Sequence, residues 1–303
     1  MIAECAVEPD VMAEWRHFQS LEEDFGVKQA RLICEFPGKW RLKVIDRAAE
    51  LVKEGKNTEM QRARMLDIMQ STRFRQKLIS AGPNRNYDGN QSWLANAKNT
   101  KAPFDIILKS SPGSGGKSIC GDELVKSEPP FKVGAQAWVE RTPDKLIGAA
   151  ETLLRRCKIL MIVEPNFCAD EPRFQLTFIH LFEKLEAWGV KIPCIELHTR
   201  QTRNEREEFI PFRREASLRH SLKAHLPQNC ELKVCHWSRL PSGGKLHPRF
   251  IITDAVGLHF DYGLDEAKND RTLVSTLEDE ICEGLRSQLS EAGPDRHEIV
   301  IKG

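Results

Sequence analysis

The sequence predicts an α/β protein in which a C-terminal layered domain with a mixed, mostly parallel sheet is preceded by a smaller helical N-terminal region. Three observations carry that expectation. From Arg141 onward, short apolar runs alternate with amphipathic stretches of helical period, the pattern of a helix-covered sheet. Before residue 80 the apolar residues recur at helical spacing instead. Between the two, residues 81–140 are rich in Asn, Gly and Lys, the composition of a linker or small subdomain.

Taken in order, the first helix is expected from Asp10 to about Glu23, with Val11, Trp15, Phe18 and Leu21 on its apolar side and Gly26 after it. A second runs from Trp40 to Lys53 and stops near Gly55; Asn57 is placed to cap a third, with Met60, Met65, Ile68 and Met69 inward. Such helices suit a partner-binding module, although Met and Trp at this spacing are more often core. Arg73 to Lys109 carries seven basic residues and two acidic ones around Tyr87 and Trp93. Phosphate attraction with base stacking would use that mixture; a solvated linker would too, and is the preferred reading. SPGSGGKS at 111–118 nearly spells a P-loop, but Ser111 takes the first glycine position and the following ICGDELVKSEPPF is too short and proline-broken for the phosphate-holding helix.

Thr142-Pro143 then opens a helix to about Arg156. Strands follow at 158–163, 192–197, 232–237, 246–253, 258–260, 271–276 and 298–301, with helices at 174–188, 204–225 and 277–289 between them. The long helix 204–225 mixes Arg206, Arg213, Arg214, Arg219 and Lys223 with four glutamates and reads as a solvated face with i,i+4 pairing; if it borders a site, its arginines could follow a nucleic-acid backbone.

Composition bounds the function. In 303 residues, 45 Lys+Arg oppose 44 Asp+Glu, so the net charge of +1 excludes a protein that grips nucleic acid by bulk charge. No run is long and apolar enough for a membrane helix, and the N-terminal stretch, with Glu4, Glu8 and Asp10, lacks the basic start of a signal peptide. Nine scattered cysteines without a CxxC pair point to reduced thiols and a cytoplasmic setting. Cys235 and His236, adjacent in a strand, point to opposite faces, so neither a metal site nor any cofactor is expected.

The residues that carry chemistry are His247, Arg249 and Asp254, in HPRFIITD. On a strand His247 and Arg249 share a face, placing an imidazole and a bidentate guanidinium on either side of one phosphate-sized object, while Asp254 is available to orient the imidazole. His198-Thr199-Arg200 echoes the pattern at the end of IPCIEL and is a second candidate phosphate-binding pair, against the plainer reading of a polar strand end.

HPRFIITD resembles the HxK(x)4D signature of the phospholipase D superfamily, with Arg for Lys. The longer HPRFIITDAVGLHFDYGLD is similar to the phospholipase-D-like domain found C-terminal to MIT domains, which shares H-x-R and a downstream G-L-D, here Gly263, Leu264 and Asp265. The resemblance covers residues 141–303. It implies a phospholipase-D-like α/β sandwich and a metal-independent phosphodiesterase, a nuclease by preference, working through a phosphohistidine on His247. It also implies homodimerisation, since a second histidine must come from a second motif. The departures, Arg for Lys and GLHFDYGLD in place of the usual Ser/Asn segment, leave as alternatives an inactive module binding nucleic acid or phosphoinositide phosphates, or an interaction subunit of a bacterial antiviral defence system, with a protein partner on the N-terminal helices.

Overall fold

A computed structural model describes residues 2–81, 85–113, 115–126, 131, 134–202, 206–291 and 293–303. The chain divides into two units, Met1–Ala135 and Gln136–Gly303.

The first unit is built on a five-stranded parallel sheet, β1 (Ala3–Val7), β2 (Arg31–Cys34), β3 (Leu78–Ile79), β4 (Ile106–Lys109) and β5 (Ser118–Cys120), in the order β3-β2-β1-β4-β5. Among the described residues six α-helices accompany it: α1 (Pro9–Ala13), α2 (Trp15–Leu21), α3 (Trp40–Lys53), α4 (Glu59–Gln70), α5 (Thr72–Arg75) and α6 (Trp93–Lys98). The expected helical region and linker are therefore halves of one α/β unit. Strands AECAV and RLIC are buried at every position. Burial on both faces erases the alternation that marks a strand in sequence, leaving short apolar runs.

The interior of this unit explains the supposed linker. Arg85 is buried in a bidentate pair with Glu4 of β1 and lies 3.8 Å from the Phe104 ring centroid. Tyr87 packs edge-on against Phe36 at 5.7 Å, and Trp93 is buried beside the same ring. Trp93 thus belongs to packing, while Tyr87 packs one edge on Phe36 and stays exposed. Gly115–Lys117 leads directly into β5, so no phosphate-holding helix follows the Gly-rich run; Ser114 lies outside the described residues. Thr58, not Asn57, caps α4, in a capping box with Gln61. Asn57 is buried, accepting from the Trp15 N–H and donating to the Ala13 carbonyl.

The second unit carries an eight-stranded sheet of β6 (Gln136–Glu140), β7 (Leu160–Val163), β8 (Cys194–Arg200), β9 (Glu231–Trp237), β10 (Phe250–Thr253), β11 (Gly257–Phe260), β12 (Arg271–Leu277) and β13 (Arg296–Lys302), in the order β13-β9-β8-β7-β10-β11-β12-β6. Only the centre is parallel, β7 with β8 and β8 with β9; the other five pairings are antiparallel. The C-terminal sheet is mixed, as expected, but it is mostly antiparallel rather than mostly parallel, and the all-parallel sheet lies in the first unit.

Helices α7 (Pro143–Leu154), α8 (Pro172–Ala187), α9 (Pro211–Ser221) and α10 (Asp279–Ser290) complete the unit. Proline at the first helical position starts α7, α8 and α9, where its missing N–H costs nothing. α9 is shorter than the stretch 204–225 expected as helix, and residues 203–205 lie outside the described set. One face of the sheet buries Val163, Trp237, Phe250 and Ile252 against Cys282 and Leu289 of α10. Among the described residues no helix is long and apolar enough to cross a membrane.

Candidate functional site

β7, β8 and β9 end at one edge of the sheet, and β10 begins there. Val163 pairs with His198 on one side and Phe250 on the other, and Phe250 pairs with His259 of β11. The carboxyl ends of parallel strands are where open α/β sheets present ligand-binding groups. Both His-x-Arg sequences fall at this edge.

His247 and Arg249 do not lie on a strand. Pro248 has no N–H for a ladder, and β10 starts only at Phe250, although the Arg249 carbonyl already accepts from Phe260 at 2.9 Å. His247 is left exposed, with no hydrogen bond or ion pair among the described residues. Arg249 is half-buried. Its Nη1 donates to the Asp261 carbonyl at 3.3 Å, and its buried Nε has no partner among the described residues.

Behind Arg249 sits a carboxylate that the sequence reading missed. Glu164, 1% exposed, directly follows β7; its Oε1 accepts from Asn166 N at 3.1 Å and its Oε2 from Leu264 N at 2.9 Å. Burial raises its pKa, while those two N–H donors and the Arg249 charge work against that rise. Burial likewise lowers the pKa of His259, opposed by Asp261 and helped by Arg249. Glu164 could have been found from position: it is a charged residue at the end of the apolar run LMIV, followed by proline.

Gly263, Leu264 and Asp265 hold this arrangement. Gly263 has φ +110, and a Cβ there would fall 2.9 Å from Glu164 Oε2, 3.1 Å from Asp265 Oδ1 and 3.7 Å from Arg249 Nε. Only glycine lets the loop close so tightly on the carboxylate. Asp265 is buried between two arginines, accepting from Arg141 Nη2 at 2.5 Å and Arg173 Nη1 at 2.9 Å. Arg141 also reaches Asp270, at 2.6 Å.

Asp254 does not orient His247. It lies past the other end of β10, about 16 Å of extended chain from Arg249. There it accepts from Lys158 N at 2.7 Å and Ile159 N at 3.4 Å, fixing the entry to β7. Burial, reinforced by the Asp254 charge, pushes the nearby Cys157 thiol up to about 12.

The second pair is closed. β8 runs through to Arg200, so the His198 ring turns into the sheet face and is fully buried. Its Nδ1 accepts from the Trp237 indole N–H at 3.0 Å, the two rings stack at 6.0 Å, and its Nε2 is 3.5 Å from Glu196. Burial lowers its pKa against the pull of Glu196. Arg200 turns back on the segment after β7, bonding the Pro165 carbonyl at 3.3 Å and the Asn166 side chain. The structure therefore does not join His198 and Arg200 into a phosphate clamp. Among the described residues, no group of three or more His, Cys, Asp or Glu side chains is placed to hold a metal ion.

No family model matches the chain, and no curated protein matches it. Among solved structures, that of the archaeal chromatin protein TrmBL2, which binds DNA, aligns over 87% of this chain and 72% of its own, at 12% identity and a TM-score of 0.30. A likeness of that size carries no conclusion about fold or function.

Proposed function

We propose that the second unit is a phosphodiester-processing domain, resembling the phospholipase D superfamily, in which His247 is the nucleophile and Arg249 the phosphate clamp. The observation that carries this reading is the placement of an open imidazole two residues from a half-buried guanidinium, at the edge where β7, β10 and β11 converge. Arg249 is backed by Glu164 and the Gly263–Asp265 loop, a rigid setting for a group that must meet developing charge on phosphate oxygens.

In the reaction, a neutral His247 nitrogen attacks phosphorus as the ester P–O bond breaks, and the leaving alkoxide takes a proton from a general acid. Water then attacks the P–N bond, releasing the phosphate monoester and restoring the imidazole. With His198 closed, the acid is His247 of a second copy, so the active form is a homodimer built around two such edges. The chemistry asks for no metal and no cofactor. The test is hydrolysis of bis(p-nitrophenyl) phosphate and of labelled oligonucleotides in EDTA, with light scattering on the same sample. Loss of turnover in His247→Ala together with a dimer supports the reading; cleavage that ignores His247→Ala and stops with EDTA defeats it.

A second reading has its own observation. His247 has no carboxylate partner among the described residues, and Asp254 stands about 16 Å from Arg249. An unoriented imidazole suits a module that binds phosphate groups without turning them over. It predicts no hydrolysis by any variant, weaker binding for Arg249→Ala and a small effect for His247→Ala.

A further inference from the structure

The edge that holds His247 and Arg249 also receives the start of α9. β8 and β9 are parallel neighbours, so the chain leaves β8 at its carboxyl end, and α9, opening with Pro211 and Phe212, follows before β9 begins at the opposite end. Both ends of the helix stay near the carboxyl edge. Packing holds them there. Phe209, just before the helix, rests against the rings of His236 and His297 at 5.0 and 5.5 Å. Further along, Ser217 bonds Asp170 at 2.7 Å and Ser221 accepts from Gln175 at 3.1 Å, which ties α9 to the segment after β7.

Phe212 is 79% exposed. Arg213 beside it is exposed, and so is Arg239, just past the end of β9. Phe212 thus shares the carboxyl edge of the sheet with Arg213, Arg239 and Arg249. β9 and β10 are separated by three strand spacings, about 14 Å, a span that a few nucleotides cover. Aromatic rings that stack bases next to cations that follow a backbone are the elements of single-strand binding. A bilayer is the competing use for an exposed phenylalanine flanked by arginine. It needs an apolar helix face, however, and the other exposed residues of α9 are Pro211, Arg213, Ala216, Arg219 and His220.

We propose that this edge is a track for single-stranded nucleic acid, with Phe212 as the stacking platform and Arg213, Arg239 and Arg249 on successive phosphates. The proposal names the substrate class of the site described above and rests on that reading for Arg249.

The experiment is fluorescence anisotropy of a short labelled oligo(dT) in EDTA with the full chain. Phe212→Ala should weaken binding roughly tenfold and Phe212→Trp should retain it. Arg213→Ala and Arg239→Ala should each flatten the salt dependence by roughly 0.7 in log–log slope. A matched duplex should bind more weakly than the single strand. Because Phe212 is solvent-exposed, thermal melts of its variants should match the parent and confirm folding. Oligo(dT) affinity unchanged in Phe212→Ala overturns the track, and so does binding to phosphatidylserine vesicles in the absence of oligo(dT) binding. If His247→Ala abolishes bis(p-nitrophenyl) phosphate hydrolysis while Phe212→Ala binds oligo(dT) normally, the catalytic reading stands and the track falls. If nothing is hydrolysed but Phe212→Ala loses oligo(dT), the track stands and the catalytic reading falls.

Discussion

His198-Thr199-Arg200 and His247-Pro248-Arg249 have the same spacing and lie at the same edge of one sheet, yet only the second is open. The difference is where the strand stops. β8 continues to Arg200, so alternation sends His198 into the sheet face beneath Trp237. Pro248 keeps β10 from beginning before Phe250, and His247 stays in solvent while Arg249 turns towards Glu164. A pair of residue types at fixed spacing thus acquires chemistry only from its position relative to the last hydrogen bond of the ladder.

The sharpest way to test this contrast is to remove each histidine in turn. His247→Ala should cost turnover roughly 10³-fold or more with the melting temperature unchanged, because an exposed ring supports nothing else. His198→Ala should cost about 4 kcal/mol in urea unfolding, combining a buried cavity with an orphaned Trp237 N–H. A stable His198→Ala protein would break the comparison.

Acid should act on two buried rings that lie on opposite faces of the sheet. His236 is pushed down to about 4, chiefly by burial and then by Arg214, and His198 is lowered by burial. A ring whose folded value is held below its unfolded one contributes stability that is complete above the unfolded value near 6.5 and is lost as pH falls below it, for His236 down towards 4. For His236 the loss is about 3 kcal/mol, and His236→Phe should flatten that part of the stability–pH curve.

Gly263→Ala should cost about 2 kcal/mol, since φ +110 is strained for alanine and its Cβ meets Glu164. It should also lower turnover by displacing the wall behind Arg249; full activity there would detach Glu164 from the site. Arg249→Lys should lose about tenfold in kcat/KM, keeping the charge but not the fork.

Much of the second unit was legible because its helices are long and amphipathic and its strands are bounded by Pro and Gly. Pro143 opens a helix as expected, and the strand expected at 298–301 is β13, extended at both ends, whereas Pro172 and Pro211 open helices that were expected from 174 and 204. The site was legible in its residues but not in its geometry. Reading 246–253 as one strand overlooked Pro248, and pairing Asp254 with His247 overlooked that β10 separates them. The first unit misled for a different reason. Its strands are two to five residues long, and Arg85, a charge that would mark a solvated linker, finds its partner eighty-one positions away in Glu4. No local pattern announces such a pair.

β1 occupies the middle of the first sheet, with β2, beginning at Arg31, on one side and β4, beginning at Ile106, on the other. On the ribosome these neighbours arrive far apart in time. A nascent chain that ends near residue 80 can pair one edge of β1 and leaves the other as an open row of amides. Its Glu4 carboxylate still waits for Arg85, and the Glu4 N–H for Asp105. Open apolar edges recruit other chains. A fragment cut at the apparent end of the N-terminal helices should therefore aggregate, and the unit becomes safe only when synthesis has passed residue 109 and β1 is enclosed on both sides.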